Sequence, residues 1–354
     1  MIFALRLVFR PLWTFCVLSF ASASYCQRVN PNDPSWRNAQ ASHEITAYNG
    51  TSMLRLCQLS DASRISSYLD NILVPRPVGS DNLKRVGMYL KRTLENLGYN
   101  VEIDRFSEQT IAGTKTFRNI IATLDPSAPR WLTLACHYDS KDFRPQFDFY
   151  GATDSAFPCS VLLDVAHSLS PHITNRAATD VTLQLVFFDG EEAFRDWTQT
   201  DSLYGSRHLA KLWEDRLYPP YNLYNTREIN RIDCLVLLDL LGAENTPIPN
   251  YQPLNSGKIY NALLDSELRL RQLPNCLDTS SSSIFSGYTQ FGAVEDDHIP
   301  FHHRGVPIMH MIPTPFPSVW HTQRDDRSAL DWKTMTNIAS IVRVFTARYL
   351  GIRI

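Results

Sequence analysis

Strand-like and helix-like runs alternate through the middle of this sequence, and that alternation constrains its fold more than any other feature. Residues 117–124, 131–136, 181–188 and 234–238 are apolar runs rich in β-branched or aromatic side chains, which read as strands. Around and between them, 161–169, 203–212 and 259–270 carry apolar residues at helical spacing. Upstream, Val86, Tyr89, Leu90, Leu94 and Leu97 recur at three- and four-residue steps before Gly98, so 81–97 reads as an amphipathic helix with its stop. Downstream, Val306, Ile308, His310 and Ile312 alternate along a further strand, and 335–350 reads as a closing helix with Ile338, Ile341, Val342 and Phe345 turned inward. Strands joined through helices make a largely parallel sheet covered on both faces. The expected fold is therefore α/β: a single globular domain with a central, mostly parallel mixed β-sheet flanked by α-helices.

In such sheets ligands gather beyond the carboxyl ends of the strands, and polar residues cluster where these strands stop. His137 and Asp139 follow 131–136, Asp189, Glu191 and Glu192 follow 181–188, and Asp239 follows 234–238. Asp154 lies in the small-residue turn 151–155 ahead of a helix, and His321 follows the proline-rich loop 313–317. Singly, each has an ordinary role: Asp154 caps a helix, Asp239 holds a turn, His321 sits on a surface loop. Together, six carboxylates and two histidines at neighbouring strand ends repel one another or demand a cation. Carboxylate oxygens with neutral imidazoles suit zinc. Glu191 and Glu192 are adjacent in apolar surroundings, so one can bind the metal while the other moves protons.

The first residues set the compartment. Arg6 and Arg10 precede the apolar run 11–20 and then Ala21-Ser22-Ala23, the pattern of a leader cleaved after Ala23. The run is shorter than the roughly 20 apolar residues a bilayer span needs. We therefore divide the chain into a signal peptide (1–23), an N-terminal arm packed on the main body (24–60) and a catalytic domain (61–354), and expect secretion, with the Golgi lumen as the alternative. Cleavage removes Cys16 and leaves Cys26, Cys57, Cys136, Cys159, Cys234 and Cys276 in an oxidising compartment, where spacing alone does not pair them. Cys234, inside an apolar strand, also reads as a buried free thiol. Asn49-Gly50-Thr51 is a glycosylation acceptor. With 34 basic and 36 acidic residues the net charge is −2, which gives no footprint for nucleic acid or an anionic membrane. A monomer is expected.

Seven stretches carry a specific resemblance: 135–141 (ACHYDSK), 151–156 (GATDSA), 187–194 (FFDGEEAF), 201–206 (DSLYGS), 237–243 (LLDLLGA), 296–301 (DDHIPF) and 313–322 (PTPFPSVWHT). In this order they resemble the glutaminyl-peptide cyclotransferases, over about residues 35 to 350. The resemblance implies the fold of the zinc aminopeptidases and one zinc ion held by Asp154, Glu192 and His321. It implies Glu191 as general acid and base, with Asp239 and Asp296 supporting it by hydrogen bonds. Trp197, Phe316 and Trp320 would line the substrate pocket, with His310 behind it, and Cys136 would pair with Cys159. The implied reaction closes an N-terminal glutamine, and in some cases glutamate, of peptides and proteins into pyroglutamate. A zinc aminopeptidase is the alternative, because His137, Asp154, Glu192, Asp239 and His321 are also the five positions such enzymes use for two zinc ions. His298, His302 and His303 read as structural or surface residues. Glu295 stands where many relatives carry Gln, an added carboxylate expected to bear on substrate preference.

Overall fold

A computed structural model describes residues 35–220, 225–254 and 256–354. The leader, Cys16 and Cys26 lie outside them. Among the described residues four helices come first: α1 (Ser35–Ala41), α2 (Gly50–Cys57), α3 (Ala62–Ile72) and α4 (Asp81–Asn96). Strands β1 (Asn100–Thr110), β2 (Gly113–Thr123) and β3 (Arg130–His137) follow, then α5 (Phe157–Leu169), β4 (Val181–Phe188), α6 (Tyr204–Asp215) and β5 (Ile232–Leu238). The chain continues through β6 (Ile248–Tyr251), α7 (Gly257–Leu270), β7 (Phe285–Gln290), α8 (Ile299–His302) and β8 (Ile308–Met311), and closes with α9 (Trp332–Leu350). Three of the helices begin on a side chain that satisfies free amides: Asp61 for α3, Ser80 for α4 and Asp331 for α9.

Six strands form one mixed sheet in the order β1-β2-β4-β3-β5-β8. The β1–β2 and β2–β4 pairs are antiparallel, while β4, β3, β5 and β8 run parallel. Register places His137 beside Phe188, Ala135 beside Leu237 and Leu237 beside His310, so the four parallel strands end together along one edge. Whatever follows them in sequence emerges at one place. Every residue of β3, β4 and β5 is buried. Alternate residues feed opposite faces: Leu132, Leu134 and Cys136 of β3 join the core beneath α5 and α9, and Trp131 and Ala135 join the one beneath α6 and α8. A small parallel pair, β6–β7, stands apart.

The structure departs from the sequence reading in three ways. Residues 35–57, within the arm read as polar and without periodicity, contain α1 and α2, and Met53, Leu56 and Cys57 of α2 are buried against the core. The long hairpin strand β1 escaped notice because its residues are mostly half-exposed and polar, with only Asp104 and Thr110 buried, so no apolar run marks it. The expected Cys136–Cys159 bridge is not formed. Both are buried free thiols, the Cys159 thiol donating to the His137 carbonyl at 3.1 Å, and the bridge is instead Cys57–Cys276, which ties the end of α2 to the segment after α7. Cys234 is a buried free thiol, as its strand position suggested.

Candidate active site

The site is built on the shared strand edge. Asp154 sits in the turn between β3 and α5, and Gly151, at φ 56°, starts that turn. A Cβ there would meet the Asp154 carbonyl oxygen at 2.1 Å, so no other residue fits. Buried Arg76 fastens the turn from outside, donating to the carbonyls of Tyr138 (2.9 Å), Tyr150 (2.5 Å) and Gly151 (3.2 Å). Asp325 fastens it from the other end, accepting the Thr153 amide at 2.8 Å. Neither Arg76 nor Asp325 was singled out in the sequence. Arg76, between Pro75 and Pro77, offered only the oddity of a charge in an otherwise stiff dipeptide setting.

Glu191 and Glu192 follow β4 through Gly190 at φ 76°, whose missing side chain leaves room for the Phe117 ring. Asp139, just past β3, accepts the amides of Glu191 (3.2 Å) and Glu192 (3.3 Å). One strand end therefore fixes the backbone of the next, a role that the sequence cluster contained without specifying. Lys141 approaches Glu192 at 3.4 Å and donates to the Ala193 carbonyl at 2.9 Å.

His321, at φ 54°, brings its Nε2 within 3.4 Å of both Asp154 and Glu192. Trp320 stacks on its ring with centroids 4.1 Å apart, and Phe143 and Phe149 meet it edge-on. Asp154, Glu192 and His321 each present a donor atom within 4.8 Å of the others. On the inner side His137 lies 3.0 Å from Asp154 and 3.3 Å from Asp239, a second donor group sharing Asp154. Ser155 donates its hydroxyl to Asp239, and His310 pairs with Asp296 at 2.7 Å.

These groups titrate abnormally. Burial alone would lower the His321 imidazole, yet hydrogen bonds to Asp154 and Glu192 raise it to about 9. Asp154 is held below the usual carboxylate range despite its burial, because His137 and His321 face it. Burial, with Asp296 nearby, pushes Asp239 up to about 6. Burial is also the main reason that Glu191 stands well above an ordinary glutamic acid, with Glu192 and Asp296 adding to it. Glu192 Oε1 is buried and faces the His321 Nε2 at 3.4 Å. Two buried carboxylates and an imidazole that converge within 4.8 Å on one wall are the donor set that suits a bound cation at Asp154, Glu192 and His321.

The site opens into a cavity of about 510 Å³. Asp154, Glu191, Glu192, Asp239, Asp296 and His321 form its polar wall, and Trp197, Phe316 and Trp320 its aromatic one. Trp197 and Trp320 are each 40 % exposed and stand at the mouth, Trp197 donating its indole N–H to Glu295 at 3.1 Å. His310 does not line the cavity; it sits behind Asp296. His298 is buried with its ring centroid 4.3 Å from that of His310, while His302 and His303 lie toward the surface. Asn49 does not line the cavity; it is exposed and caps α2 by accepting the Ser52 amide.

Residues 119–346 match the model of peptidase family M28, a span that contains the whole polar wall. A glutaminyl-peptide cyclotransferase of Boiga irregularis is 41 % identical, over 96 % of this chain and 95 % of its own length. This chain belongs to the glutaminyl-peptide cyclotransferases. One from Drosophila melanogaster is 42 % identical over 84 % of this chain and 83 % of its own. The crystal structure of Macrostomum lignano glutaminyl cyclase superposes with a TM-score of 0.82 at 37 % identity, covering 88 % of this chain and 96 % of that one. A Zn-dependent exopeptidase from Parabacteroides distasonis, 22 % identical with a TM-score of 0.62 over 86 % of this chain and 99 % of its own, shares the fold. The chain is thus an enzyme, an acyltransferase on the M28 fold with a metal-ion site.

Proposed function

We propose that this cyclotransferase converts the N-terminal glutamine of peptides and proteins to pyroglutamate with release of ammonia, using one zinc ion held by Asp154, Glu192 and His321. The observation that carries the reading is the pairing of these three converging donors with Glu191, a buried carboxyl next in sequence, on the wall of one aromatic-rimmed cavity. In the reaction the α-nitrogen bonds to the side-chain carbonyl carbon, the bond from that carbon to the amide nitrogen breaks, and a proton passes from one nitrogen to the other. Zinc, when bound, would supply Lewis-acid polarisation of the side-chain carbonyl.

The protein's own residues do the rest. Glu191, whose carboxyl burial raises above an ordinary glutamic acid, takes the proton from the α-nitrogen and returns it to the departing one. Asp239 and Asp296 lie on the same wall, held by Ser155 and His310, and brace the polar side of the pocket. Trp197, Phe316 and Trp320 hold the side chain folded back on the amine, so orientation supplies much of the acceleration, and they limit competing water. A pocket of this kind leaves the remaining peptide outside, which supports broad acceptance of peptides and, more slowly, of N-terminal glutamate.

The second donor group, His137 with Asp154 and Asp239, is the observation that favours the alternative, a two-zinc aminopeptidase. One experiment separates the two: a Gln-initiated and a Leu-initiated peptide are incubated with purified enzyme, with and without a zinc chelator, alongside metal analysis. Chelator-sensitive release of ammonia from the Gln peptide alone, with one zinc per chain, supports cyclisation. Removal of the first residue from the Leu peptide, with two zinc ions per chain, replaces it by aminopeptidase action.

We also infer secretion or residence in the Golgi lumen from the leader-like first 23 residues, a glycan on exposed Asn49, and a monomer. Among the described residues no helix is long and apolar enough to cross a membrane.

A further inference from the structure

A second cavity, about 410 Å³, adjoins the first, and Glu295 lines both. The next residue after Trp197, Thr198, is on the second cavity's wall as Trp197 is on the first's. The hydrogen-bonded pair of Trp197 and Glu295 is therefore the partition between them. A peptide whose first residue occupies the catalytic cavity must pass this partition to reach the second. The charges along the way are mostly accounted for. Arg207 pairs with Glu108 at 3.2 Å and Arg304 with Glu214 at 3.1 Å in the second cavity, Lys141 with Glu192 at 3.4 Å in the first, and exposed Arg195 and Asp196 adjoin with opposite sign. Glu295 is exposed, accepts only the neutral indole N–H and has no ion pair among the described residues.

We propose that Glu295 is a specificity-determining residue: it favours peptides that carry a lysine or arginine in the two positions after the residue being cyclised, whose downstream chain runs over the partition into the second cavity. The proposal rests on the cyclisation reading for its chemistry but not for its charge selection. A solvent-facing carboxylate gains a modest amount from a cationic partner, so the preference for a lysine-bearing over a glutamate-bearing peptide is about 1.5- to 5-fold at low salt. It shrinks as ionic strength rises, because the pair is exposed. Glutamine at this position keeps an oxygen for the Trp197 indole and removes only the charge.

The test compares three peptides of equal length, Gln-initiated, with Lys, Ala or Glu at the second and third positions, as kcat/KM on the zinc-loaded enzyme. The expected order is Lys, then Ala, then Glu, and in Glu295→Gln the Lys/Glu ratio falls to about one. A wild-type ratio of one, or a ratio that survives in Glu295→Gln, overturns the proposal. Glu295→Ala also loses the Trp197 anchor, and a raised KM for all three peptides in that variant alone separates anchoring from charge. The same peptides are titrated onto Glu191→Gln enzyme by tryptophan fluorescence. Charge-dependent binding there without turnover in the wild type would leave the role of Glu295 standing and the cyclisation reading refuted.

Discussion

At the scale of single residues, two adjacent glutamates have different duties because the backbone turns between them. Glu192 meets His321 and Lys141, whereas Glu191 lies buried among Asp296, Glu192 and His137 without meeting the His321 group. Glu191→Gln is expected to lower kcat by about 10²- to 10⁴-fold, the usual worth of a positioned acid and base, while bound zinc stays stoichiometric. His321→Ala is expected to lose zinc as well, and mass spectrometry of the native protein reads both. A different histidine sets a pH response. Burial, then the neighbouring His310, holds His298 well below its ordinary value, so the folded chain keeps it neutral. Unfolded, it titrates near 6.5. Below about pH 6.5 the unfolded chain then binds more protons, so this contribution to stability is intact above that pH and is lost as pH falls, by up to about 1.4 kcal/mol per unit. Thermal melts of His298→Gln between pH 7 and 5 should fall less steeply than those of the parent; an equal slope would remove His298 from the account.

At the scale of elements, the helices that cover the sheet are locked by buried charge as well as by apolar packing. Asp164 of α5 receives Arg343 of α9 at 2.8 Å and Arg64 of α3 at 2.5 Å, all away from solvent or nearly so. Removing one side of a buried pair leaves an uncompensated charge, so Asp164→Ala, which strands two arginines, should cost about 3–5 kcal/mol in urea unfolding. An effect under about 1 kcal/mol would mean that the two arginines find water. Apolar periodicity made α4, α5, α6, α7 and α9 legible, each within a few residues, because their inner faces carry apolar residues at helical spacing. The hairpin strand β1 was illegible for the opposite reason: a two-stranded edge facing water needs no apolar run, and its pairing with β2 supplies the order.

For the whole molecule, the Cys57–Cys276 bridge spans 219 residues and joins the end of α2 to the segment after α7. In the chain-entropy view such a loop restrains the unfolded state by up to about 5 kcal/mol. Cys57→Ser with Cys276→Ser should lower the melting temperature, and an unchanged melt would show that α2 is held by packing alone. The sequence by itself determined the parallel sheet, the helices that flank it and the polar residues at its strand ends, because periodicity and strand termination are local properties of the chain. It also held the motifs from which Asp154, Glu191, Glu192 and His321 were named. Which thiols pair, how Arg76 and Asp325 clamp the Asp154 turn, how Asp139 fixes the two glutamates, and that Glu295 reaches the Trp197 indole were decided only in three dimensions. Those contacts join residues tens to hundreds of positions apart, and only packing the sheet between its helices brings their atoms within hydrogen-bond or bonding distance.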